Sequence, residues 1–323
     1  MSTPSHLAGD PPVKPPNPDE FERPLTPHVN AEEHDLYVDV DHTSQAYEIF
    51  CQKVTKGPQP LSNGVTVFVG GESGCGKTST INRCVAFLNG HLLQTGMNCV
   101  IVDLRRPALP PLPGTGGGDE PETTEERQHE VFTYLVSKLS AQMKLPGADE
   151  DRLLGHAQRR KTGYAALSRH LTQANLAVLV ILPESQANYD APNYISYRAP
   201  NIAFFAEAAG EEMARQYTQW GSDDIISLSV GPLNPEDAWK YATKRINSGI
   251  GPYKGLTIDE LDVQLMMEKI RAVQSIRILN RLMNHAAHNV LAVRGKHITY
   301  SHLSDHWLSN STLDLGRGGM TQT

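Results

Sequence analysis

The sequence has no apolar run approaching the ~20 residues that a membrane-spanning helix needs. Its first residues also lack the basic-then-apolar layout of a secretory signal, so a cytoplasmic protein with no membrane partner is expected. Cysteine is scarce. Cys51, Cys75, Cys84 and Cys99 are too few and too irregularly spaced for a disulfide scaffold or a zinc site, and they fit a reducing compartment. Positive charge is also in deficit: 29 Lys and Arg face 36 Asp and Glu, a net of −7. At face value that argues against a nucleic-acid binder, whose footprint is normally basic. What remains is 323 residues, 39% of them apolar, enough for one large domain or two modest ones at about 100–200 residues each.

The charge is unevenly spread. Residues 1–35 hold eight of the 22 prolines and seven acidic residues against Lys14 and Arg23, with few apolar side chains. Such a segment cannot offset its ordering entropy, so a disordered tail is expected over 1–35. From Pro232 onward 11 basic residues outnumber eight acidic ones, and the stretch from Lys269 to Ser304 has six basic residues and no acidic one. Net charge therefore neither excludes a nucleic-acid partner nor supports one.

Leu36–Val40 alternates as a short strand would, and Ser44–Val54 reads as a helix capped by Thr43. Val65–Val69 is a β-branched run ending in two glycines, followed by a helical Thr78–Asn89 and a strand at Asn98–Asp103. The span 106–123, with five prolines and four glycines, reads as a long surface loop. Helices are expected at Glu125–Met143, Tyr164–Leu171 and Glu211–Trp220. Strands are expected at Leu176–Leu182, Ile202–Ala206 and Ile225–Val230. The unbroken apolar run at Leu176 suits a central parallel strand covered on both faces. Strands separated by helices predict an α/β parallel sheet sandwiched by helices over 36–231. A helical domain follows over 232–309, with a short extended piece at His297–Tyr300, and then a flexible terminus over 310–323.

One motif is highly specific. Gly71-Glu72-Ser73-Gly74-Cys75-Gly76-Lys77-Thr78, followed by Ser79, matches G-x-x-x-x-G-K-[ST] between a strand and a helix. The glycines permit backbone angles that let successive N–H groups converge on a phosphate, and the helix N-terminus adds partial positive charge. Lys77 then bridges the β- and γ-phosphates, and Thr78 offers its hydroxyl to Mg²⁺. ATP with Mg²⁺ is the expected ligand. Cys75, inside the loop, reads as a small tolerated residue.

The order of the motif, the Val100-Ile-Val-Asp103 strand, the Leu176 strand and Leu228-Ser-Val-Gly-Pro-Leu233-Asn-Pro-Glu-Asp resembles an AAA+ P-loop ATPase. The style is that of the origin-recognition, transposition-helper and signal-transduction branches. Ser275–Ala287 is similar to the family's lid helix, which implies that Arg277 faces the nucleotide while Ile276, Leu279, Leu282 and Met283 pack on the core. The resemblance implies a homo-oligomer with a protein partner or effector. It also implies a strand ending in Asp-Glu. Here the strand continues as Pro183-Glu184, so Glu184 stands where the catalytic base belongs while proline fills the magnesium-carboxylate position. Slow hydrolysis and a nucleotide-dependent oligomerising switch are the expectation. A DNA-associated loader and a small-molecule kinase are the alternatives. Asp103 ends a strand expected at the sheet edge, so it is not assigned to the metal. Glu207 falls at the sensor-1 position, where its charge would oppose a γ-phosphate, and Arg215 is the nearest arginine-finger candidate.

Other groupings read blandly. His285 with His288 and His302 with His306 lack a third ligand. Tyr189, Tyr194 and Tyr197 beside Arg198 fit packing better than base stacking.

Overall fold

A computed structural model describes residues 23–56, 61–105, 124–142, 147–157, 159–183, 190–209, 224–248, 251–270, 274–305 and 307. Five strands form one all-parallel sheet: β1 (Val65–Gly71), β2 (Asn98–Asp103), β3 (Leu176–Ile181), β4 (Ile202–Ala209) and β5 (Ile225–Ser229). Their spatial order is β2-β3-β4-β1-β5. The chain thus places β4 between β1 and β3, with Val69 opposite Glu207, and leaves Asp103 on an edge strand, as expected.

The central strands are buried on both faces. On one face Ile202 and Phe204 of β4 join Phe132, Leu135, Tyr164, Leu167 and Tyr194. These come from α3 (Thr124–Ala141), α5 (Arg160–Gln173) and α6 (Asp190–Ser196), with α4 (Gly147–Leu154) adding Leu153. On the other face Ala203 and Phe205 join Phe50 of α1 (Asp41–Thr55) and Ile81 and Leu88 of α2 (Lys77–Gln94). The period-two alternation of a strand sorts successive side chains to opposite faces, and both layers of the predicted sandwich follow from it.

The helices α4 and α6 have no counterpart in the sequence reading. The helix expected at Glu211–Trp220 and the loop at 107–123 lie outside the described residues.

Past β5 the described residues are mainly helical: α7 (Pro235–Asn247), α8 (Glu260–Lys269) and α9 (Ile276–Ala292). Asn234 caps α7 by accepting from the Asp237 amide at 2.8 Å, with Pro235 at the first helical position. These helices share a separate core in which Leu279, Leu282 and Met283 are fully buried. The extended piece at His297 is real but shorter: β7 (His297–Ile298) pairs in parallel with β6 (Thr257–Ile258).

Two expectations near the N-terminus need correction. Leu36–Val40 is not a strand. Its side chains part company, Val40 entering the lid core and the Tyr37 hydroxyl donating to the Ser79 carbonyl at 2.8 Å. Thr43 is not the cap of α1, which begins at Asp41 behind Val40; the Thr43 hydroxyl donates to the Val40 carbonyl instead.

Residues 23–36 also depart from the tail expected over 1–35. They fold into a turn and a 3-10 helix (Ala31–Leu36). The buried Glu33 carboxylate accepts from the Arg23 guanidinium and the Thr26 amide, while Pro27 is buried. Polar contacts of this kind hold a segment whose apolar content is low, which is why composition alone misplaces it.

Candidate functional site

The phosphate loop is built by backbone conformations that only glycine adopts at low cost. Gly74 has φ of 83° and Gly76 of 93°. A Cβ on Gly74 would lie 2.2 Å from the Ser275 Oγ, so the lid helix closes against this loop with no space for a side chain. The contact is also polar. The Arg277 amide donates to the Gly74 carbonyl at 3.2 Å, and Ser275 caps α9 by accepting from the Ile278 amide.

Loop and lid enclose a cleft of about 750 Å³. Of the residues assigned to nucleotide binding, Ser73, Gly74, Gly76, Lys77, Thr78, Ser79 and Arg277 line it. Gly71 ends β1, Glu72 is exposed, and Cys75 is buried beneath the loop in the α2-side core. The Lys77 ammonium donates to the Gly71 and Glu72 carbonyls at 2.9 and 3.0 Å, interactions that a phosphate can replace. The Thr78 hydroxyl donates to Glu207 Oε1 at 2.6 Å. Glu184 and Arg215 lie outside the described residues.

The electrostatics select an anion. Six arginines and Lys77 line the cleft, against the carboxylates of Asp103 and Glu207. Arg83, Arg105 and Arg23 are paired with Asp39, Asp103 and Glu33, while Arg277 and Arg281 are exposed at the lid side. A polyphosphate suits that balance, and the loop amides, Lys77 and the Thr78 hydroxyl are the donor set such a ligand and its Mg²⁺ require.

The far wall comes from residues the sequence reading passed over. Asn82 of α2 is fully buried. Its Nδ2 donates to the Leu25 carbonyl at 2.5 Å and its Oδ1 accepts from Arg105 Nη2 at 2.6 Å. Arg105 also grips Asp103, donating to Oδ1 from Nε and to Oδ2 from Nη2. Burial works against ionisation of Asp103, but the Arg105 hydrogen bonds and charge outweigh it and hold the carboxyl below its usual range. His28 is pushed the other way for a base: burial, then the Arg105 charge, lowers its pKa. Arg245 of α7 completes the cleft, its Nε donating to the Tyr241 hydroxyl at 3.1 Å. Asn82 acts through Leu25 and Arg105, both distant in sequence, so no short-range pattern marks it.

Tyr194 is buried and Tyr197 stacks on Tyr164 while donating to Gln128 Oε1 at 2.8 Å, so both serve packing. The His302 ring accepts from the Thr299 amide, a local role, and His285 lies on α9 with its pKa lowered by burial and by His288. Tyr189 and His306 lie outside the described residues. Among the described residues no helix is long and apolar enough to cross a membrane.

The sequence matches no family profile and no curated protein. Similar folds are found among solved structures. The ADP form of the Aeropyrum pernix ORC2 protein is 14% identical, covering 84% of this chain and 71% of that one at a TM-score of 0.51. The same protein in ADPNP-ADP complexes covers 93% of this chain and 71% of its own at 13% identity and a TM-score of 0.48. C. elegans PCH-2 is 11% identical over 90% of this chain and 73% of that one, with a TM-score of 0.48. The phosphate loop on β1, the placement of β4 between β1 and β3, and the helical lid closing on the loop together give this chain the fold of the AAA+ P-loop ATPases.

Proposed function

We propose that this chain is an AAA+-type ATPase that binds ATP with Mg²⁺ between core and lid and acts as a nucleotide-dependent oligomerising switch. The contact between Arg277 and Gly74 carries this reading. The loop whose amides would close on the β-phosphate is the surface on which the lid helix begins. Phosphate entering the loop takes Lys77 from the Gly71 and Glu72 carbonyls and biases the position of Gly74, and with it the lid.

The magnitudes suffice. Moving a two-state lid from 1:99 to 99:1 needs about 5.5 kcal/mol of differential affinity. Charge-assisted hydrogen bonds of the kind a triphosphate makes here contribute about 1.5–3 kcal/mol each. Pro183 follows β3 where a magnesium carboxylate is expected, which supports slow hydrolysis and a long-lived bound state. Glu184 is the proposed catalytic base. The neighbour's surface is the proposed reader of the lid, as in a homo-oligomer, and a protein effector is the proposed downstream partner.

Light scattering coupled to size exclusion tests the proposal, with ATP, ADP or no nucleotide. The expected result is a mass increase with ATP that Lys77→Ala abolishes. A chain that binds ATP yet stays monomeric in all three conditions overturns the switch.

A further inference from the structure

We infer that Glu207 is the carboxylate that holds the Mg²⁺ of the bound nucleotide together with Thr78, replacing the acid that Pro183 removes from β3. The inference rests on the nucleotide reading above and goes further by naming a residue on a different strand.

Strand order makes it possible. Because β4 lies between β1 and β3, the C-terminal end of β4 is immediately beside the phosphate loop, and Glu207 pairs in register with Val69. Strand parity aims it. Ile202, Phe204, Ala206 and Ala208 face the α3–α6 layer, whereas Ala203 and Phe205 face α1 and α2. Glu207 continues the second set and reaches the first turn of α2. There its Oε1 accepts from the Thr78 hydroxyl at 2.6 Å, within the range of a charge-assisted O–H···O⁻ bond.

That bond has two consequences. It spends the Thr78 proton on Glu207, leaving the hydroxyl lone pairs for a cation. It also sets a half-buried carboxylate at the mouth of the loop that must receive a triphosphate. With no cation between them, carboxylate and phosphate repel. With Mg²⁺ between them both become ligands, in keeping with the ion's habit of one or two carboxylates plus phosphate oxygens and water. Glu207 therefore makes nucleotide binding conditional on the metal.

The test measures ATP affinity by calorimetry on the full chain, with Mg²⁺ and with EDTA, for wild type, Glu207→Gln and Glu207→Asp. In wild type, EDTA is expected to weaken ATP at least tenfold. In Glu207→Gln that ratio collapses to within about threefold, partly because metal-free ATP now binds more tightly than to wild type. Glu207→Asp keeps the charge and retains a ratio above that of Glu207→Gln, which separates loss of the carboxylate from loss of fold. Wild type that binds ATP with a ratio unchanged in Glu207→Gln overturns the assignment and leaves the nucleotide reading standing. Wild type that binds ATP in neither condition overturns both.

Discussion

The side-chain amide of Asn82 donates to the main-chain carbonyl of Leu25, 57 residues away, at 2.5 Å, and so straps the N-terminal segment across the helix that follows the phosphate loop. The same side chain accepts from Arg105, so one buried amide joins the strap, the P-loop helix and the edge of the sheet.

Asn82→Ala is expected to lower stability by about 1–3 kcal/mol, since it leaves one buried Arg105 donor unmet and the Leu25 carbonyl with the Tyr37 hydroxyl at 3.4 Å as its remaining donor. Urea denaturation measures the loss. Chymotrypsin should also cut sooner at Leu25 and Leu36, whose release reports the strap directly.

Acidification should loosen the same strap, and the sign follows from the titrating groups. His28 has its pKa lowered in the folded chain from the ordinary 6.5, first by burial and then by Arg105. The unfolded chain therefore takes up a proton that the folded chain resists, so this stability is complete above about 6.5 and is lost as pH falls below it. Glu33 and Asp103 are held below their usual range: burial opposes the shift, but in Glu33 the Thr26 amide and Arg23 outweigh it, and in Asp103 Arg105 does. Their contribution is present above the ordinary carboxylate values and is lost only as pH drops through the folded ones. Between pH 7.5 and 5.5 the change in urea midpoint should then come from His28 together with His285, whose pKa burial and His288 also lower, and should shrink but not vanish in His28→Gln.

Gly74→Ala attacks the lid contact. The left-handed backbone there costs a residue with a Cβ about 1–2 kcal/mol, and the added methyl meets Ser275 Oγ. Hydrogen exchange at residues 275–279 should accelerate by tenfold or more while β1 and β4 stay protected. Equal acceleration throughout would mean that the lid and core open together.

Tyr164→Phe is expected to be neutral or mildly stabilising. Tyr164 is wholly buried between Phe132, Phe204 and Tyr197, and its hydroxyl has no hydrogen-bond partner among the described residues. Removing an unmet polar group from an apolar layer keeps the packing and deletes a desolvation cost. A destabilised variant in thermal melts would point to a buried water at that hydroxyl.

The phosphate loop was legible in the sequence because its chemistry is local: eight consecutive residues specify the turn, the lysine and the hydroxyl. The cap at Asn234 was legible for the same reason, its acceptor and donor standing three residues apart. Glu207 was visible only as a misfit that would oppose a γ-phosphate. Its partner Thr78 lies 129 residues away, and the pairing exists only once β4 has been inserted beside β1. The strap over Asn82 escaped for a related reason. Composition counts apolar side chains, whereas residues 23–36 are held by charge-assisted bonds of Glu33 to Arg23 and the Thr26 amide and by the Asn82 amide on the Leu25 carbonyl. Such bonds do not register in any periodicity.

Among the described residues, two sets of backbone ties near the lid lie close together, besides Val40, which sits in the lid core and leads into α1. Where the chain leaves β5, the Val230 amide donates to the Gly70 carbonyl, and the Leu233 amide to the Gln274 carbonyl. Where α9 begins, Arg277 meets Gly74. α9, about 25 Å long at 1.5 Å per residue, extends away from these ties. Under the proposed switch, a rotation of about 10° there would carry its distal end, with the exposed Arg294 and Lys296, through roughly 4 Å. A small adjustment where a phosphate would sit would then become a displacement large enough for a neighbouring surface to read.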